Sequence, residues 1–459
     1  MGWPSRSGGR ILSDEGVRGG GDIAAERATG SSIGSRGGAA DGPPNVRGGG
    51  NETRDVLFNE ADIMEFAEGR VANVLGPKFA PIDALPRRVR IPGPPFMAIS
   101  RVTRISGSFG KLKGARIRTE FDIPDPAWNA VDGQASYLAL DAQGILFLAG
   151  WLGIDFENSG KRAYRWVDAR LTYLASMPRA GQRVEYDIHV THSFHVGNAT
   201  LFRAEFLARV DDRPVLKTDR CTIGFFSDED LAGGGGITAR HRTVREPNHP
   251  TFGAPLGPPG RSLETTDLVA LARGEIAQVM SPAHACGGRN PSLRIPPPIV
   301  QFIDRVTRIE ATGGAYGLGM SEAEFRLDPQ HWAVRAHFKD DPIFPGPCMF
   351  EGAMQLLQLH ALSLGLQTAV TGARFQPLLH RPVMARFRAQ VEPRQQMFSY
   401  RADIVEIGLS PEPYLVADVD LIDDEHVVGR IEGLGVRMVG EPSKLVVSGA
   451  TEVGPLGHE

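Results

Sequence analysis

The chain has 459 residues, 41% of them hydrophobic and 23% charged, enough to bury a substantial core, and its length suggests about three domains. Lys plus Arg is 50 against 54 for Asp plus Glu, a net charge of −4 without the concentrated basic character that a general nucleic-acid binder needs. Three cysteines (Cys221, Cys286, Cys348) form no disulfide framework or metal spacing, no apolar run approaches a membrane span, and the first 50 residues lack a signal-peptide core, so the expectation is a cytoplasmic protein.

Residues 1–54 are unlike the rest: 15 of the first 50 are glycine, apolar side chains are few, and burial cannot offset the entropy of ordering, which predicts a disordered tail. Asp55 to Asn73 carries apolar residues at helical spacing (Val56, Leu57, Ile63, Met64, Phe66, Ala67). Residues 90–128 then align without gaps to 294–332 at an offset of 204, with 14 identities in 39 positions, including Arg101 to Ile105 on Arg305 to Ile309 and Trp128 on Trp332. The chain therefore holds two homologous domains, placed at 55–231 and 263–440. A Gly/Pro-rich linker (232–262) joins them, and 441–459 is a C-terminal tail.

Each copy continues with an apolar segment of helical length, Tyr137 to Leu152 in the first and Cys348 to Leu364 in the second, apolar around most of its circumference as in a buried helix. Alternating stretches follow and predict strands: Arg183–Val190, Thr200–Val210 and Cys221–Phe226, then Ala385–Val391, Phe398–Ile407 and Tyr414–Ile422, with matching turns at Asp211-Asp212 and Asp423-Asp424. The fold class expected is α+β, one long buried helix wrapped by an antiparallel sheet, used twice.

The densest chemical signal runs from His337 to Glu351. Three prolines and Gly346 make a rigid turn, with His337 expected to end a strand, Gly346 to open the helix and Glu351 to lie one turn inside it. A helix N-terminus offers free N–H groups and a positive dipole end to a developing oxyanion. A histidine, a carboxylate and that N–H are the parts needed to take a proton next to a carbonyl and expel a hydroxyl.

His337-Phe338-x-x-Asp341-Pro342-x-x-Pro345-Gly346, with an acid 14 residues after the histidine, resembles the 3-hydroxyacyl-ACP dehydratases of the hot-dog fold. From about residue 56 the chain is similar to the tandem dehydratase region of polyunsaturated fatty acid synthases, through Phe58 to Gly69, Pro86 to Arg90 and Phe121 to Pro124 before Trp128. The resemblance implies a double hot-dog with no metal and no organic cofactor. Its substrates would be acyl thioesters on the phosphopantetheine of an acyl carrier protein, its partners that carrier and other synthase subunits. The activity implied is dehydration to trans-2-enoyl thioesters, with 2,3 double-bond isomerisation in some relatives. Gly346, Gln355 and Phe338 would be oxyanion or substrate-binding residues.

Two departures matter. Pro347-Cys348-Met349-Phe350 replaces the family's smaller residues after Gly346, which predicts an acyl tunnel reshaped by Met349 and Phe350. The first copy has no Pro-Gly turn and no histidine before His189, so it cannot supply the base. In the resembled dimers the histidine of one hot dog works with the acid of its partner. A pseudo-dimer within this chain, open to further dimerisation, would pair His337 with Asp141 and leave Glu351 facing a vacant site near Ala127 or Gly133. The competing expectation pairs His337 with Glu351. The rival functions are a hot-dog acyl-thioesterase and a non-catalytic acyl-binding scaffold. His189, His192 and His195 alternate in a strand and are not expected to converge on a metal. Cys348 is expected to be a wall residue, and Arg87, Arg88, Arg101, Arg104, Arg305 and Arg308 to be ion-pair residues or receivers of the carrier's arm.

Overall fold

The computed structural model describes residues 55–234, 236–238, 252–394 and 396–443. The expected N-terminal tail, residues 235 and 239–251 of the linker and nearly all of the C-terminal tail lie outside them. The chain enters through helix Glu60–Glu68, fixed by a capping box in which the Asn59 side chain takes the N–H of Asp62 and Asp62 returns the bond.

In the first copy the strands are β1 (Arg101–Ser108), β2 (Lys111–Asp122), β3 (Ala130–Val131), β4 (Gln134–Ala135), β5 (Arg162–Tyr173), β6 (Arg183–Val196), β7 (Ala199–Val210) and β8 (Arg213–Ser227). In the second they are β9 (Arg305–Glu310), β10 (Met320–Leu327), β11 (Val370–Pro377), β12 (Pro382–Phe387), β13 (Gln396–Gly408), β14 (Tyr414–Asp423) and β15 (His426–Pro442). Apart from the short β3–β4 hairpin they form one antiparallel sheet of 13 strands. Its order, β1-β2-β6-β7-β8-β5-β12-β15-β14-β13-β10-β9 with β11 also on β15, reads the same from either edge under the repeat. The centre of this palindrome is the β5–β12 pair, where Pro382 faces Thr172 and Arg386 faces Asp168. The repeated tryptophans meet as well: the rings of Trp128 and Trp332 cross edge to face with centroids 5.2 Å apart. The architecture is the expected double hot dog, two halves closed on each other by a pseudo-two-fold.

The second copy wraps its sheet around one helix, Gly346–Ser363, in which every residue from Cys348 onward is buried. The first copy departs from the expected single helix. Tyr137–Leu140 is a 3-10 turn, Asp141 adopts an extended conformation, and the α-helix begins only at Gly144 and ends at Trp151. At the break the Gln143 amide donates to the Phe96 carbonyl (2.8 Å) and to Asp141 Oδ2 (3.1 Å), while its carbonyl takes the Ala98 N–H (2.8 Å).

Three further expectations are corrected. His337 does not end a strand but caps the C-terminus of the short helix Trp332–Ala336. The second hairpin turn is Asp424-Glu425, one residue later than predicted, both with positive φ like Asp211-Asp212. A bulge between Val190 and His192 flips the alternation of β6, so His189 and His192 share a face and His195 takes the other. Among the described residues no helix is long and apolar enough to cross a membrane.

Candidate active site

The loop carrying His337 belongs to the second copy but is fastened by the first. Arg165 on β5 makes a bidentate ion pair with Asp341 (2.6 and 3.1 Å), both side chains buried, and Arg87 approaches the same carboxylate at 3.5 Å. Arg90 pairs with Asp340 at 2.8 Å, and the Gly93 N–H donates to the Ala336 carbonyl at 2.9 Å. His337 itself is 9% exposed and has Phe338 stacked on its ring, centroids 4.0 Å apart. Its Nδ1 has no side-chain hydrogen-bond partner among the described residues. Burial, reinforced by the nearby Arg165 charge, drives the His337 pKa down to about 3, against the opposing pull of Asp341. Its surroundings therefore favour the neutral ring at pH 7.

His337 and Asp141 line one cavity of about 110 Å³ whose other walls are mostly aliphatic and aromatic, among them Tyr164, Trp166, Tyr173, Phe206 and Phe350. Asp141 is half-buried where the broken helix leaves its backbone extended. Burial raises its carboxyl to about 6, with the Gln143 amide and the Ala142 N–H opposing. Only His337, Pro347 and Phe350 of the lining come from the second copy. The first copy, expected to supply the acid, thus builds nearly the whole wall.

Glu351 faces elsewhere. It is fully buried and lines a second cavity of about 30 Å³ with Asp132, Gln134, Ser136, Tyr137 and Gln358, next in sequence to Gly133, one of the two positions expected for the vacant site. Its Oε2 accepts the Tyr137 N–H (3.0 Å) and its Oε1 accepts from Gln355 (3.1 Å); burial lifts its pKa to about 7. Pro92 lines the first cavity and its repeat partner Pro296 the second, so the two are pseudo-symmetric counterparts.

Gly346 is the first helical residue, capped by Pro345. Cys348 and Met349 both donate to the Pro345 carbonyl (3.1 Å each) and Pro347 has no N–H, which leaves the Gly346 N–H as the donor of the first turn without a backbone partner among the described residues. A Cβ at Gly346 would lie 2.9 Å from the Trp166 ring, so this close approach requires glycine. None of the three expected oxyanion or substrate-binding residues is in the cavity lining, which Gly346 adjoins only through Pro347. Gln355 is consumed by the Phe302 N–H (3.0 Å), the Val300 carbonyl (2.8 Å) and Glu351, while Phe338 backs His337 from behind. Of the two residues expected to reshape the tunnel, Phe350 lines it and Met349 does not. Cys348 is buried outside the lining, and Cys221 is the thiol in the wall. Among the arginines, Arg101 pairs with Glu120 and Asp122, Arg305 with Glu264 and Arg308 with Glu310, whereas Arg88 is buried against the Phe66, Gly69 and Val89 carbonyls. Arg165 and Tyr137 were missed by sequence reasoning; Arg165 lay in a strand that its charges concealed.

Fold and site together define a tandem hot-dog protein whose second half is a FabA-like domain: residues 295–432 match that family. The chain is homologous to a polyunsaturated fatty acid synthase polypeptide of Thraustochytrium sp., with 31% identity over 408 residues. The match takes in 85% of this chain but 27% of that protein, so the chain spans about a quarter of the curated relative's length. Similar solved structures include the dehydratase domain from the CurJ module of curacin polyketide synthase (12% identity, 74% of this chain and 96% of that one, TM-score 0.39). Another is a Lactobacillus plantarum protein assigned as an oleoyl thioesterase (10% identity, 72% and 98%, TM-score 0.40).

Proposed function

We propose that the chain dehydrates 3-hydroxyacyl thioesters, carried on the phosphopantetheine of an acyl carrier protein, to trans-2-enoyl thioesters within a lipid synthase, without metal or organic cofactor. The observation that carries this reading is a neutral histidine from one repeat and a raised-pKa acid from the other on the walls of one apolar cavity. His337 takes the α-proton and the Gly346 N–H steadies the enolate oxygen. The C3–O bond then breaks as the Asp141 carboxyl protonates the departing hydroxyl, which leaves as water. Asp141 suits the acid role because burial keeps part of it protonated near neutrality. Glu351 takes no part, being committed to Tyr137 and Gln355 on the far side.

The test is reversible hydration of a 2-enoyl thioester by wild type, His337→Ala, Asp141→Asn and Glu351→Gln. The first two variants are expected to lose roughly 10²–10⁴ in rate and the third to stay within a few-fold of wild type. A dead Glu351→Gln beside an active Asp141→Asn would overturn the assignment. Release of free thiol in place of hydration would make the chain a thioesterase.

A further inference from the structure

We propose that Tyr137 is the partition that ends the acyl cavity and so sets the longest chain accepted, an inference that rests on the dehydratase reading above. Tyr137 lines the His337–Asp141 cavity and also the Glu351 cavity, the one residue common to both linings. Its ring meets Tyr173 edge to face (centroids 5.8 Å) and leans on Phe350 (6.4 Å), two walls of the first cavity. On the far side the second cavity carries the exposed charges of Asp132, Arg294 and Arg374, so it opens towards solvent. The partition thus divides an apolar space from one bordered by charged side chains.

What holds the partition is its backbone. The Tyr137 N–H donates to Glu351 Oε2 at 3.0 Å, and Gln355 donates to the other Glu351 oxygen, whereas the Tyr137 hydroxyl is buried without a partner among the described residues. Glu351, the repeat counterpart of Asp141, is therefore a positioning residue for Tyr137. The ring's bulk, not its hydroxyl, closes the cavity, and Tyr137→Phe should leave the length limit where it is.

The experiment measures kcat/KM for hydration of 2-enoyl-pantetheine thioesters of increasing length by wild type, Tyr137→Phe, Tyr137→Leu and Tyr137→Ala. In parallel, binding of saturated acyl-pantetheine amides of the same lengths is measured by calorimetry. Each methylene that gains a buried place contributes up to about fourfold. The long-to-short ratio should rise by about fourfold or more in Tyr137→Ala, less in Tyr137→Leu and not in Tyr137→Phe. Tyr137→Leu preserves most of the packing and keeps the test open if the alanine variant does not fold. An unchanged ratio in both Leu and Ala variants would overturn the partition while leaving the dehydratase reading intact. No hydration by wild type, with the binding limit still moving in the variants, would overturn the dehydratase reading and uphold the partition.

Discussion

Glu351 is a buried carboxyl that the fold holds at about 7 instead of 4.5, and its replacement by glutamine should change how stability depends on pH. Because the folded-state pKa is raised, its contribution is complete below pH 4.5 and is lost as pH rises through 7. The displacement corresponds to about 3 kcal/mol. Two effects compete in Glu351→Gln. The amide has a single acceptor where the Tyr137 N–H and the Gln355 amide both donate, which costs roughly 1–3 kcal/mol at every pH. It also never ionises, which removes the loss at high pH. The measurable quantity is therefore the change in the wild-type-minus-variant difference between pH 4.5 and pH 8. Asp141 and Asp155, each raised to about 6 by burial, titrate in both proteins and cancel. Across some 370 described residues, an unfolding entropy of about 2.1 cal/mol/K per residue makes 3 kcal/mol about 4 °C. Scanning calorimetry should show the variant gaining about that much on wild type over this pH interval. Parallel pH curves would mean that Glu351 ionises at no cost, and the account of its burial would be wrong.

The enzymatic rate should follow the protonated fraction of Asp141, falling above pH about 6 with its acid limb displaced towards pH 3, as read from kcat/KM across pH; Asp141→Asn should abolish the basic limb. Arg165→Met leaves the Asp341 carboxylate buried beside Arg87 alone and should cost roughly 3–5 kcal/mol in denaturant melts. Glu425→Gly relieves a left-handed residue (φ 66°) in the β14–β15 turn and should stabilise by about 1 kcal/mol, with activity unchanged.

The repeat at offset 204 was enough to foresee two equivalent halves, because Arg101–Ile105 and Arg305–Ile309 occupy the same edge strands. Alternation revealed β6, β7, β13 and β14. It hid β5, whose sequence carries Arg162, Arg165, Asp168 and Arg170 among its apolar residues. Those charges pair with groups distant in sequence, such as Asp341 and Asp219, and the strand is central in spite of them. The break at Asp141 was equally invisible, since 137–152 is apolar apart from Asp141, Gln143 and its glycines and reads as one continuous buried helix. Local pattern located His337, Asp141 and Glu351. Which of them share a cavity depends on where the two halves touch.

Trp128 and Trp332 touch across the pseudo-two-fold, and their contact has a consequence for how such a chain can change. In a dimer of identical subunits an axial residue packs against its own copy, so every substitution is imposed twice and must suit itself. Here the two tryptophans are separate codons in one chain, and either can be altered while the other compensates. The same release applies along the whole seam, β5 against β12 included. Covalent linkage also keeps the halves at high effective concentration, so a seam too weak for free subunits still assembles. Fusion has thus turned one self-complementary surface into two that are free to diverge.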